Sequence, residues 1–481
     1  MIKSSIKKVT KSCYFPMLIL SISMWLILLR VGLKDGSDDT AHLAYLSQFG
    51  VIKWLYNRIV TWQPRIFSDL TYAMLINNLS AWRIINSTLL SILMISISKL
   101  STEGKEGLTD NYKLSVSTFA CCLFYFISPY VITSGMIWYT GSFYYLWPVT
   151  AMMISIIPFY YAVSGSTTKY KNLNIVFYIT TICSCYNEQT LAIIFCFSSI
   201  CFGYLRFSNR KISKTLIFQY ILIIVNGIIF YALSQIADRI VMEVFWYTGF
   251  DMLSLIDKLF QGVNWTNYHY INSSNLLMLI VTIELFILIR KKKFEIKTIS
   301  MIPLIFFLLR VIPLNTIFSS FNINNIDTQV YTGSISPYSF EELLYNYFYN
   351  TTKVMSSNML SGSIIDFLPS FSGFFIMLFI TVLLWIALRK KEDKILMVSL
   401  YLAALASGYV VGFSPTIFAS RSRIFFVGNI LVLLIAVKLF CEILSYENVH
   451  FPRWINYIFV GLAALIWFQF LSQFVTGILW L

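Results

Sequence analysis

Residues 1–39 read MIKSSIKKVTK (1–11), then SCYFPMLILSISMWLILLRVGL (12–33), then KDGSDD (34–39). That order decides how the chain is read. Lys3, Lys7, Lys8 and Lys11 precede a run over 14–33 with the length of one bilayer-crossing helix, about 20 residues, and two adjacent acids follow at once. A lysine-rich start with an apolar run also fits a secretory signal, but no small-residue cleavage site follows Gly32. The segment reads as a retained signal-anchor, with the N-terminus in the cytoplasm.

The rest of the chain repeats the pattern. Of its 481 residues 58% are hydrophobic and only 12% charged, with a mean hydropathy of +0.72. Soluble domains carry about 25% charged residues, so this chain cannot coat a water-facing surface. The composition excludes a soluble enzyme, a nucleic-acid-binding domain, a disordered tail and a secreted disulfide scaffold. Apolar stretches lie at 14–33, 84–100, 114–133, 144–164, 173–186, 189–206, 215–236, 275–290, 298–314, 372–389, 395–413, 424–441 and 455–475. The expectation is an all-α polytopic bundle of about 13 spans forming a single membrane domain over 1–481.

The formal charge of +14 follows from topology. With the N-terminus inside, about 24 of the 36 basic residues face the cytoplasm against about 8 acids, and about 12 basic residues face out against about 13 acids. The runs at 290–293 and 389–391 are topology determinants, and nucleic acid is not an expected partner. The eight cysteines lie in spans or near cytoplasmic ends, with no C-x-x-C pair, which supports neither a disulfide framework nor a zinc site.

Cytoplasmic loops are short and carry no phosphate-binding glycine motif. Energy or activated substrate must therefore come from a gradient or from the membrane. The larger outside loops are 34–83, 237–274 and 315–371. In the first, Leu43, Leu46, Val51, Ile52, Leu55 and Ile59 recur at near-helical spacing, which predicts amphipathic helices lying on the membrane surface. Aromatic residues cluster at Trp138–Trp147 and Tyr345–Tyr349. They read either as an interfacial belt or as a stacking platform for sugar rings.

Several residues in these loops can carry chemistry. Asp38 and Asp39 repel each other, and partial desolvation would turn one of them into a base; Gly36-Ser37-Asp38-Asp39 is also ordinary turn chemistry. His42 follows at helical spacing, but three ligands this close make a weak metal motif, and no metal is assigned. Glu188, in Tyr186-Asn187-Glu188-Gln189-Thr190, is a carboxylate pinned between two apolar runs, a functional candidate by position. Glu284 lies inside a span, where a helix–helix hydrogen bond is expected. Arg65, Arg421 and Arg423 lie outside, against the topological bias, and a guanidinium fork suits a phosphate group.

The acidic pair, the amphipathic loop and Trp62-x-x-Arg65 resemble the opening of the GT-C superfamily of polyprenyl-phosphate-dependent glycosyltransferases. Ser128-Pro129, the run from Trp138-Tyr139-Thr140-Gly141-Ser142 to Trp147-Pro148, and Asn187-Glu188 are similar to bacterial Gtr-type proteins that glucosylate O-antigen after export. The likeness covers residues 14–190 by motif and the rest by topology; Gln63-Pro64-Arg65 stands where relatives often have Gly-Arg.

The resemblance implies transfer of a hexose, glucose above all, from undecaprenyl phosphate to a surface polysaccharide repeat, with inversion, at the periplasmic face of the bacterial inner membrane. It implies Asp38 or Asp39 as general base, and Arg65 or the Arg421/Arg423 pair as the cation for the leaving phosphate. Asp38, Asp39 and Glu188 are then the candidate catalytic residues. Trp62, Arg65, Trp138, Tyr139, Asn187, Arg421 and Arg423 are the candidate substrate contacts. No cofactor is expected beyond the lipid-linked donor; a donor-synthesising transferase and a donor flippase are the implied partners, and loops 237–274 and 315–371 the acceptor-binding regions. The rival readings are an O-antigen polymerase or ligase, and a flippase or transporter of a lipid-linked sugar.

Overall fold

A computed structural model describes residues 12–105, 108–166, 173–235, 244–247, 249–271, 275–290, 292–311, 364–446 and 453–477. Most of loop 315–371, part of 237–274, the aromatic cluster at 345–349 and the four N-terminal lysines lie outside them. Among the described residues the chain is all-helical, with no strand. In chain order the helices are α1 Phe15–Leu28, α2 Asp38–Thr61, α3 Ile66–Leu75, α4 Leu79–Thr102 and α5 Asp110–Phe124. There follow α6 Tyr139–Ser164, α7 Asn174–Cys185, α8 Glu188–Phe207, α9 Lys214–Ser234, α10 Leu255–Ile271, α11 Leu277–Ile289 and α12 Phe294–Val311. The last four are α13 Ile364–Ala387, α14 Lys391–Tyr409, α15 Phe426–Tyr446 and α16 Arg453–Val475.

Seven of the described helices are long and apolar enough to cross a membrane, or eight if one bent pair counts as a span, against the thirteen expected. The difference has a geometric cause. Stretches such as 14–33, 173–186 and 275–290 form helices, but α1, α7 and α11 have 14, 12 and 13 residues. At 1.5 Å per residue they cover about 20 Å of a core about 30 Å thick.

The bundle is organised around α15, which is buried along the whole of its apolar length and packs on α4, α5, α11 and α14. The outer helix α9 turns Ile217, Phe218, Ile221, Ile228 and Tyr231 outward, an apolar exterior that suits hydrocarbon rather than water. Lys438 of α15 pairs with Asp393 of α14 at 2.9 Å, and Lys105 pairs with Glu442 at 3.1 Å, tying the C-terminal end of α4 to that of α15.

Three local breaks shape the opposite end. The expected span over 114–133 is not continuous: α5 ends at Phe124, and the arm Pro129–Ile137 leaves at 91°. Pro129 supplies no N–H to an ongoing helix, so the chain restarts there. Residues 133–137 and 142–146 then wind as π-helical turns, a form concentrated at functional sites. Gly141 permits this path, since a Cβ there would lie 1.9 Å from the Ser134 carbonyl oxygen.

Helix α2 begins where Ser37 Oγ accepts the Asp39 N–H at 3.2 Å, with two acids in the first turn favouring its dipole. It kinks at Gly50, whose φ of 76° favours glycine. Residues 38–61 and 66–75 are therefore helical, with Val51 and Ile52, just past the kink, exposed rather than continuing one packed face.

Candidate active site

One cavity of about 880 Å³ opens at this end of the bundle, within the size range of small-molecule sites. It draws its walls from α2, the loop before α3, the arm 129–137, the start of α6 and the segment 416–423. Asp38, Trp62, Arg65, Trp138, Arg421 and Arg423 all line it, although they come from sequence positions nearly four hundred residues apart.

The acidic pair separates. Asp38 is exposed on the cavity rim, whereas Asp39 is fully buried. Asp39 Oδ2 accepts the Lys34 N–H at 2.9 Å and the Trp138 indole N–H at 3.0 Å. Its Oδ1 accepts the Thr140 N–H at 3.1 Å and the Thr140 hydroxyl. Burial raises the Asp39 carboxyl above its usual range, against the pull of its hydrogen bonds from Thr140, Lys34 and Trp138. With four donors on two oxygens, Asp39 pins α2 to the start of α6, and only Asp38 is left to meet a ligand.

The basic residues separate in the same way. Arg65 holds Glu188 in a two-point pair, Nη2 to Oε1 at 2.7 Å and Nε to Oε2 at 3.1 Å, and Gln63 Nε2 reaches the same Oε1 at 2.5 Å. Arg58 faces Asp69 at 3.6 Å and donates to Tyr144 Oη at 3.3 Å, while that hydroxyl donates to Asp69 Oδ1 at 2.5 Å. The cavity floor therefore carries two guanidinium–carboxylate pairs stacked about Tyr144, with Arg65 5.0 Å from its ring centroid. Across the cavity, Arg423 lies 4.9 Å from the centroid of Trp138. No carboxylate pairs with Arg423 among the described residues. Arg421 sits on the same turn with φ of 51°.

Tyr139 and Asn187 do not line the cavity. Tyr139 is fully buried, its ring 5.0 Å from those of Tyr72, Trp82 and Phe143, and its hydroxyl donates to the Tyr72 carbonyl. Asn187 caps α8 through the Thr190 N–H and donates to the Tyr144 carbonyl at 2.9 Å. Glu188 acts on the cavity through Arg65. Glu284 is buried, and its carboxylate has no hydrogen-bond partner among the described residues, so the expected helix–helix bond is absent.

The residues that sequence reasoning missed are Arg58, Asp69 and Tyr144, together with His42 in a role other than metal binding. Arg58, like Arg65, is a basic residue of the stretch 34–83, which the expected topology puts outside, and the same argument from topological bias would have found it. Asp69 carries no such signal, because it lies in an ordinary amphipathic stretch. His42 lines the cavity edge-on between Trp54 and Tyr72, at centroid distances of 5.4 and 5.5 Å. Burial, with Arg58 adding to it and Asp38 opposing, pushes its imidazole down to about 4, so it is neutral near pH 7. Among the described residues no three His, Cys, Asp or Glu side chains gather as a metal site.

The cavity thus has an acid and a neutral imidazole on one wall, a cation over an indole on the facing wall, and a charge-balanced aromatic floor. No family model, no curated protein and no solved structure matches the chain.

Proposed function

We propose that the chain is an integral-membrane, inverting glycosyltransferase. In this reading it moves a hexose from a polyprenyl phosphate to a hydroxyl of a surface polysaccharide, in the cavity at the α2–α6 end. One observation carries the reading: a single cavity gathers a solvent-facing carboxylate, an arginine with no carboxylate partner among the described residues and several aromatic rings at one end of an apolar bundle. Those are the groups such a reaction needs.

Asp38 accepts the proton of the attacking hydroxyl, whose oxygen bonds to the anomeric carbon. The bond from that carbon to the phosphate oxygen breaks, and its electron pair leaves on the phosphate. Arg423, with Arg421 beside it, meets the charge that develops there. Arg65 is engaged by Glu188 and Arg58 by Asp69, which favours the wall that carries Arg423 as the phosphate side. A bacterial inner-membrane setting, a periplasmic cavity and glucose as the hexose belong to this proposal, as do a donor-synthesising transferase and a donor flippase as partners. So does a membrane-surface position for α2, whose Ile52 and Tyr56 are exposed.

The test is the mass of surface polysaccharide from cells making the wild type, Asp38→Asn or neither, at equal membrane levels. An added hexose per repeat with the wild type alone is expected. Identical repeat masses in all three overturn the reading.

Glu284 favours a second reading, transport of a lipid-linked sugar, because a buried carboxylate with no partner among the described residues suits a proton or substrate relay. Transport would tolerate Asp38→Asn and fail with Glu284→Gln; the transferase gives the reverse.

A further inference from the structure

Helix α10 lies behind the 416–425 segment and carries a line of buried polar atoms that nothing among the described residues satisfies. Gln261 Oε1, Trp265 Nε1 and His269 Nε2 are buried without a hydrogen-bond partner among the described residues. They recur every four residues, so they share one face of α10 over about 12 Å. Orphaned buried polar atoms are rare in folded proteins, and three in register on one face call for a ligand or ordered water.

The surroundings fit a sugar. Trp265 and Tyr268 are half-buried and stack on each other, with centroids 5.4 Å apart and planes 12° apart. His269 stands edge-on to Trp265 at 4.8 Å and lies flat on Phe425 at 4.1 Å. Burial pushes its imidazole down to about 3, so it is neutral and able to accept as well as donate. Trp265 also meets Phe418 edge-on at 5.4 Å, and Phe418 lines the main cavity on its other side. One ring thus separates this face from the site of the proposed chemistry.

The face is held rigidly. A Cβ on Gly262 would lie 2.0 Å from the Tyr409 carbonyl oxygen, and one on Gly412 would lie 1.9 Å from that of Lys258. Helix α10 is seated at backbone contact distance, which fixes its backbone and leaves only side-chain rotation to bring the polar line to a ligand.

We propose that this face of α10 is a subsite for a neutral, hydroxyl-rich oligosaccharide chain, with Gln261, Trp265 and His269 as its hydrogen-bonding groups and the Trp265/Tyr268 pair as its stacking surface. This assignment rests on the transferase reading for its purpose, since it would hold the acceptor chain beside Asp38. Binding itself can be tested without turnover.

The experiment measures binding of two probes, O-polysaccharide fragments from the expression host and maltoheptaose, to the full-length protein in nanodiscs. Trp265→Phe and His269→Phe keep an aromatic ring at each position and remove the indole N–H and both imidazole nitrogens, and melting temperatures check that both fold. Each is expected to weaken binding of a bound probe about five-fold, and the pair together about 25-fold, with undecaprenyl phosphate binding unchanged. Binding indifferent to both variants, or no binding of either probe to the wild type, overturns the subsite. Sugar binding that depends on α10 in a protein that transfers no hexose would keep the subsite and sink the transferase reading instead.

Discussion

The indole N–H of Trp138 donates to the Asp39 carboxylate at 3.0 Å, and the face of the same ring carries Arg423, 4.9 Å from its centroid. Trp138 thereby connects the cationic wall of the cavity to the carboxylate that fixes the start of α2, one residue from Asp38. Replacing it with Phe keeps a ring under Arg423 and removes the N–H. The expected result is a lower kcat, by about ten-fold, with the donor KM within two-fold of wild type. A rise in donor KM without a fall in kcat would place Trp138 in donor binding alone.

The two adjacent acids should behave differently. Asp38→Asn removes an exposed carboxylate and should abolish turnover while leaving the melting temperature unchanged. Asp39→Asn sets an amide N–H₂ among four donors in a fully buried position, at a cost of about 1–3 kcal/mol. Thermal melts of both variants separate the roles; equal melting temperatures would remove Asp39 as the anchor of α2.

Arg65 and Glu188 should act as one unit. Glu188→Gln and Arg65→Ala are each expected to lower turnover by about five-fold, a modest figure because the Glu188 side chain is 36% exposed and solvent screens the pair. The double variant should be no worse than the poorer single one, and Arg65→Lys should be milder than Arg65→Ala. Additive losses in the double-mutant cycle would show that Arg65 acts independently of Glu188.

His42 gives the protein an acid sensitivity of known sign. Its imidazole sits near 4 when folded against 6.5 when free. Between those values the unfolded chain takes up a proton that the folded chain refuses, so stability falls as pH drops from 6.5 towards 4 and levels off below. The full loss is at most about 3–4 kcal/mol. His42→Phe keeps a ring between Trp54 and Tyr72 and should flatten the melting temperature across that window. An unchanged acid slope would assign the sensitivity to other groups.

Gly141 and Gly203 form a matched pair. A Cβ at Gly141 would meet the Ser134 carbonyl oxygen at 1.9 Å, while one at Gly203, within α8, meets nothing within 4 Å. Gly141→Ala should disrupt the cavity wall and lower both stability and turnover. Gly203→Ala should stabilise the protein by about 1 kcal/mol. Similar melting temperatures for the two variants would contradict the close approach of the two π-helical turns.

The helical, apolar character of the chain was legible because period and hydropathy survive any packing. The helicity of residues 38–61 was legible for the same reason, and Leu43, Leu46 and Leu55 pack on the core, but the kink at Gly50 breaks the predicted face and leaves Val51 and Ile52 exposed. The span count was not: a 12-residue apolar helix and a full span have the same composition, and the bend after Phe124 depends on how Pro129 is packed. Asp38, Trp62, Arg65, Trp138, Arg421 and Arg423 were found singly, each as a polar or aromatic residue where topology does not require it. Their meeting in one cavity could not be read from spacing. Nor could the difference between Asp38 and Asp39, because neighbours at the first turn of a helix point about 100° apart and only the packing decides which one is inside. Tyr139 and Asn187 looked like ligand contacts for the complementary reason, as aromatic and polar types that here complete the interior.

Arg421 holds a backbone angle that glycine adopts freely and a residue with a Cβ resists, with φ of 51°. Exchange for glycine should relieve about 1–2 kcal/mol of backbone strain but would act against the interactions that Arg421 makes. On the transferase reading it also removes a cation from beside the leaving phosphate, so a library selected for decorated polysaccharide would keep the strained arginine.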